Sequence, residues 1–205
     1  IPSFTDLYLN QKPGNVGNPY LQPENAWQYD AHLHYKKGNF KAKVGYFYRD
    51  VNDFIDWVRD SITVPYSPMN FGRNQIQGIY VQLNQSFVWK SVHKFAYSVS
   101  YQYLNPTISQ KDKFSKYVLE SLRHQLILGI NYGYKNLTIG LNTRLIEREL
   151  NDPYVLLDTR IGYNFKNVSL YTDLSNLLNT QYTEAGAVPM PPRWFSLGAR
   201  LLLSK

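Results

Sequence analysis

From Trp27 the chain alternates: Trp27, Tyr29, Ala31, Leu33 and Tyr35 are apolar or aromatic, and Gln28, Asp30, His32 and His34 between them are polar. A period of two puts each set on its own face of an extended strand. After a turn at Lys36-Lys37-Gly38-Asn39 the pattern returns as Phe40, Ala42, Val44, Tyr46 and Tyr48 against Lys41, Lys43, Gly45 and Arg49, with Phe47 intruding on the polar side. Further strands are expected on Ile79, Val81, Leu83 and Phe87, on Phe95 through Tyr97, Val99 and Tyr101 to Tyr103, and on alternate positions from Leu126 to Tyr134, where Ile127 breaks the rule. The last four carry Leu137, Ile139, Leu141 and Leu145; Val155, Leu157, Ile161, Tyr163 and Phe165; Val168, Leu170, Thr172 and Leu174; and Phe195, Leu197, Ala199, Leu201 and Leu203. No helical pattern of useful length competes, so the expectation is all-β with about nine antiparallel strands.

The connections alternate in length. Tight turns at residues 36–39, 90–94, 135–136 and 166–167 are interleaved with long segments at 51–74, 105–117, 147–153 and 176–192. Short turns at one end and long loops at the other are the layout of a transmembrane β-barrel. A soluble β-sandwich also alternates. Against it stand strands of about 9–11 residues, long enough to cross a bilayer obliquely, and aromatics crowded at the tight-turn ends: Tyr35, Phe40, Trp89, Phe95, Tyr132, Tyr134, Tyr163 and Phe165. Such a girdle marks a membrane interface.

Composition agrees with this. Of 205 residues 18 are Tyr and only 2 Met, a bias that suits strands and interfaces. No apolar run reaches the roughly 20 residues of a spanning helix. Cysteine is absent, which removes disulfides, thiolate metal sites and cysteine nucleophiles. The formal charge is +7, but its lysines and arginines read as scattered singly, which argues against nucleic acid as a partner. Nine is an odd count for a single-chain barrel, and residues 1–23 read as a turn-rich outer loop ahead of strands and loops over 24–205. The expectation is that the chain lacks its beginning; a self-contained pore or adhesin of 8 or 10 strands is the alternative.

Two stretches carry a family resemblance. Pro2-Ser3-Phe4-Thr5-Asp6-Leu7-Tyr8, then Gly17-Asn18-Pro19, Leu21 and Pro23-Glu24, resembles the segment of TonB-dependent outer-membrane receptors that precedes a strand in the C-terminal half of the barrel. Asp173-Leu174-Ser175-Asn176-Leu177-Leu178-Asn179-Thr180-Gln181-Tyr182 resembles the family's penultimate strand and the bend after it, and Pro192-Arg193-Trp194-Phe195-Ser196-Leu197-Gly198 its last strand. The family usually ends on an aromatic residue, whereas this chain ends Leu203-Ser204-Lys205. The resemblance implies an antiparallel transmembrane β-barrel of 22 strands in the bacterial outer membrane. About nine C-terminal strands of it are here, and the plug is absent from this chain. It further implies lipid, the N-terminal plug and the remaining strands as partners, coupling to TonB through the plug, and import of an iron-siderophore or cobalamin-like ligand, with no enzymatic activity and no cofactor.

Candidate chemistry is sparse. Trp57, Tyr66, Met69, Phe71 and Arg73 lie in the long loop at 51–74, where ligand contact and self-packing of the loop are both open. Arg49, Arg144 and Arg160, with Asp158 and Arg200, fall on the polar face, where they would pair across a lumen or steer an anionic ligand. His32 and His34 share a face without a third metal ligand at suitable spacing. Glu147 with Glu149, and Asp56 with Asp60, are carboxylate pairs expected to sit in solvated loops. No nucleophile triad, phosphate loop or zinc motif is visible.

Overall fold

The computed structural model describes residues 1–108, 114–115, 122–149, 152–184 and 188–201. In chain order the elements are α1 (Phe4–Tyr8), β1 (Asn10–Gln11), β2 (Asn15–Val16), β3 (Asn25–Lys37), β4 (Phe40–Asn52), β5 (Ile55–Arg59), β6 (Ser67–Asn70) and β7 (Asn74–Trp89). They continue with β8 (His93–Ile108), β9 (Phe114–Ser115), β10 (Leu122–Tyr134), β11 (Leu137–Arg148), β12 (Tyr154–Phe165), β13 (Val168–Ser175) and β14 (Trp194–Leu201). Leu203 and parts of the long connections at 105–117, 147–153 and 176–192 lie outside the described residues.

The nine expected strands form one sheet in the order β3-β4-β7-β8-β10-β11-β12-β13-β14, antiparallel throughout. The tight turns close it from one end: Gly38, Lys135 and Lys166 take left-handed φ values of 56°, 49° and 50°. The register keeps the two faces apart. Tyr46 pairs with Ala31 and Ile79, Val81 with Val44 and Tyr101, and Ile139 with Tyr132 and Ile161, all on the apolar face. On the opposite face Asn142 pairs with Gly129 and Asp158. Phe47 breaks the alternation because Gly78 opposite it leaves room for its ring, which would lie 2.7 Å from a Cβ there.

The strands are longer than expected. β3 to β12 of the sheet run 12–16 residues, and only β13 and β14 are as short as 8. The expected length survives in the apolar band. On the apolar face of β7 and β8 the pairs run from Trp89↔His93 to Ile79↔Tyr103, and beyond them the same face carries Gln77↔Asn105 and Gln75↔Thr107. Residues 79–89, rising about 3.3 Å each and tilted about 40°, give a band about 25 Å tall. The rest of each strand stands above it toward the loops.

The apolar face is uncovered. Leu33 and Leu197 are 76% and 78% exposed. The other sheets among the described residues have two and three short strands, so no second layer packs on this face and the sandwich alternative falls. The tight-turn girdle is present as ring contacts: Tyr35–Phe40 at 6.2 Å, Phe87–Phe95 at 5.0 Å and Phe95–Tyr132 at 5.0 Å. His93, not anticipated there, bonds Tyr132 Oη through Nδ1 at 2.8 Å. One sequence impression is corrected: the lysines that read as scattered gather at the tight-turn end once the hairpins align.

At the loop end the chain builds a small folded platform where only loop was expected. β5 pairs with β6 and β9, and Val58, Phe71 and Met69 pack beneath it. The opening segment docks onto it. Val16 N–H donates to Tyr66 O at 2.9 Å, and the Asn70 side chain bonds the Gln22 carbonyl at 2.9 Å.

Candidate functional site

Two surfaces have the chemistry of a binding site: the polar wall of the sheet and the loop platform above it. On the wall, neighbouring strands supply matched charges. Arg144 on β11 donates to Asp158 on β12 at 3.1 Å. Arg160 on β12 forks onto Asp173 on β13 at 2.5 and 2.7 Å and lies 5.0 Å over the Tyr171 ring. Arg49 is exposed on the same face, between Gln28 and Ile76 in register. Period-two alternation brings these arginines to one face, and the strand register selects their partners.

Aromatics lie flat on this wall over glycines. Tyr80 crosses Gly45, where a Cβ would stand 2.3 Å from its Cζ, and donates to both Asp30 carboxylate oxygens at 3.3 Å. Tyr171 covers Gly198 in the same way, at 2.2 Å. Each glycine is required for close approach, so a tyrosine spans from its own strand toward the next and ties them together.

In the platform the five loop candidates divide. Trp57 and Phe71 are buried within it, and Trp57 Nε1 donates to Asp6 Oδ1 at 2.9 Å. Tyr66 and Met69 are half-buried, and the Arg59 guanidinium lies 4.4 Å over the Tyr66 ring. Arg73 is turned toward β4 and grips Asp50 through Nε at 2.7 Å and through Nη2. Asp56 was expected in a solvated loop. It is instead fully buried and accepts the Ser115 hydroxyl, while Asp60 is exposed. Burial would raise the Asp6 carboxyl, but hydrogen bonds from the Ser3 hydroxyl and backbone and from Trp57 outweigh it and hold Asp6 below the usual carboxylate range.

A cleft of about 800 Å³ opens where the connection after β13 folds back over the start of β12. Tyr154, Gln181, Tyr182 and Met190 line it, and Tyr154 and Tyr182 meet at 4.9 Å. The fold-back is anchored on the wall: Asp158 Oδ1 accepts Asn176 N–H at 2.9 Å, and Thr180 Oγ1 donates to Val155 O at 2.7 Å. Burial, then the charge of Glu184, pushes the Tyr182 phenol above its ordinary value. Sequence reasoning missed this cleft. Its only advance signal is the cluster of Tyr182, Met190 and three prolines in one long connection.

Among the described residues no three His, Asp or Glu side chains group as metal ligands. The His32 and His34 rings lie 5.3 Å apart with their planes tilted by 57°, and His32 Nδ1 meets Asp30 at 2.9 Å. Glu149 pairs with Arg123 at 3.0 Å.

Similar folds occur among solved structures. The copper transporter OprC is 18% identical with a TM-score of 0.72, over 98% of this chain and 35% of its own. The siderophore receptor PirA from Acinetobacter baumannii is 15% identical with a TM-score of 0.69, over 91% and 33%. The FrpB iron transporter from Neisseria meningitidis is 15% identical with a TM-score of 0.63, over 92% and 32%. This chain thus spans about a third of the length of the proteins it resembles. At these identities the likeness is one of fold. No curated protein matches in sequence. The family model described as "TonB dependent receptor-like, beta-barrel" matches residues 1–177. With the nine-stranded meander, uncovered apolar band and charged inner wall, that match establishes that this chain belongs to the TonB-dependent-receptor-like β-barrel family.

Proposed function

We propose that this chain forms about the last nine strands of a 22-stranded barrel in the bacterial outer membrane, part of a receptor that imports a scarce ligand. The observation that carries the reading is the division of one sheet into an uncovered apolar band about 25 Å tall and a wall of paired charges under folded loops. A barrel in lipid needs the first; a solute path needs the second. The apolar face meets outer-membrane lipid, and the wall meets a plug supplied elsewhere in the receptor. TonB engages that plug and supplies the energy.

An iron chelate is the favoured ligand, in keeping with solved neighbours named as siderophore and iron transporters. Copper enters the test because another neighbour is named as a copper transporter, and a cobalamin-like ligand is the alternative. Ligand contact falls to Tyr66, Met69 and the cleft at Tyr154 and Tyr182, with Arg49, Arg144 and Arg160 along the path. Trp57 and Phe71 shape the platform, and Arg73 ties it to β4 through Asp50, on the outward side of the sheet beside Gln75. The test is uptake of ferric siderophores, copper and corrinoids by a strain lacking the full-length gene. Loss of one uptake, restored by the gene, is expected. Undiminished uptake of all three sinks the import reading.

A further inference from the structure

The tips of the four hairpins that close on tight turns, residues 33–44, 83–99, 130–141 and 162–171, hold eight lysines and no aspartate or glutamate. The remaining 14 Lys and Arg fall one short of the 15 Asp and Glu, all of which lie outside the tips. The whole positive excess of the chain therefore stands at one end of the sheet.

Three of these lysines repeat one geometry. Lys90 lies 4.6 Å over the Trp89 ring, Lys135 lies 5.4 Å over Tyr134 and Lys166 lies 5.6 Å over Phe165. Each ring is the final aromatic of its strand on the apolar face, paired Trp89↔His93, Tyr134↔Leu137 and Phe165↔Val168. Each lysine opens its turn in the left-handed region, at φ 48°, 49° and 50°, where Gly or Asn is at home and a lysine is not. The fold places a cation at the rim three times, at a backbone position that disfavours it, over the ring that marks the lower edge of the apolar band. A cation above an interfacial aromatic stands at the depth of lipid headgroups.

We infer that this rim is a binding belt for anionic phospholipid headgroups of the leaflet at the tight-turn end, with Lys90, Lys135 and Lys166 as its contacts and the rings beneath them seating the acyl chains. The occupant is lipid rather than an acidic protein because the three ammonium groups rise from the apolar face, which only lipid covers. The inference rests on the membrane reading above. Its expected size is a preference of roughly fivefold per lysine for anionic over zwitterionic headgroups.

The test uses the full-length receptor in vesicles, with tryptophan quenching by brominated phosphatidylglycerol compared with brominated phosphatidylcholine. The variant K90N/K135N/K166N removes the charges while giving each turn a residue suited to its backbone, so the barrel is retained or stabilised. The wild type is expected to favour phosphatidylglycerol at least fivefold, and the variant to lose most of that preference. Equal quenching by both lipids, or a preference the variant keeps, overturns the belt with the membrane reading intact. Quenching by neither lipid overturns the membrane reading and the belt with it.

Discussion

The Tyr80 and Gly45 contact can be tested quantitatively. In Gly45→Ala the new Cβ would stand 2.3 Å from Tyr80 Cζ and 2.4 Å from Oη. The obstacle is the far end of a side chain, so the ring leaves and the backbone stays. Lost with it are the ring's packing on the wall, one long bifurcated hydrogen bond shared by the two Asp30 oxygens at 3.3 Å and the Lys43 ammonium 4.9 Å over the ring. Exposed contacts of this kind are worth about 0.5 kcal/mol for the cation and about 0.5 kcal/mol for the one bifurcated hydrogen bond. Overpacking adds about 1 kcal/mol, and replacing a strand glycine returns about 0.5 kcal/mol. The net is a loss of about 1.5 kcal/mol. In a Tyr80→Ala background the same substitution meets no ring and is neutral or slightly stabilising, so the coupling is about 2 kcal/mol. Gly78 is the control: its Cβ would meet the Tyr103 backbone oxygen at 2.5 Å as well as Phe47, so Phe47→Ala relieves Gly78→Ala only in part. Equilibrium urea unfolding of the full-length receptor in micelles, followed by tryptophan fluorescence, measures all these variants. A Gly45→Ala cost that is the same with and without Tyr80 would refute the staple.

Three further outcomes follow from the loop end. Asp6 is held below the ordinary carboxylate range, so its contribution is full above the unfolded value and is lost as pH falls through the lower folded one; Trp57 fluorescence should stay constant from neutral pH to about pH 5 and change only below about pH 4, and in Asp6→Asn this acid step should vanish. Trp57→Ala should cost about 3 kcal/mol and open the platform to protease, while Tyr66→Ala should reduce ligand uptake with proteolysis unchanged; the reverse pattern would exchange their roles. Asp158→Ala removes both the Arg144 partner and the acceptor of Asn176 N–H, so it should speed proteolysis in residues 176–184, whereas Asp173→Asn, which weakens an ion pair whose arginine side chain is 65% exposed and keeps an oxygen to accept from Ser196, should leave that rate unchanged.

The sheet was legible because its signal is local. Each strand states its own two faces, and Lys-Asn or Gly-Asn pairs mark the turns. Strand lengths were underread because alternation fades where both faces meet water, as at Gln75 and Gln77. The platform was illegible for the opposite reason. Its bonds join residues far apart, Asp6 to Trp57 and Gln22 to Asn70, and two-residue strands such as β9 have no periodicity to read. The wall arginines were placed correctly by alternation, but Asp173 as the partner of Arg160 follows only from register. Alternation puts Tyr80 and Tyr171 on the polar face but says nothing of their crossings, because the glycines that make room for them lie on other strands.

The wall pairs also bear on how such a surface passes a ligand rather than trapping it. Arg144 and Arg160 already face carboxylates, and the Arg160 pair is largely open to water. Water screens an exposed pair of this sort and leaves it weak, so an anionic ligand would exchange with Asp173 at little net gain or loss. On the importer reading, that near-balance is what a conduit needs: enough attraction to enter and too little to hold. On the same proposal, tighter discrimination falls to the loop end, where the cleft beside Tyr154 and Tyr182 and the half-buried Tyr66 and Met69 offer shaped, partly apolar contacts. The proposed importer would thus select at the mouth, pass its ligand weakly along the wall and, at the far rim, turn its lysines to lipid and away from the path.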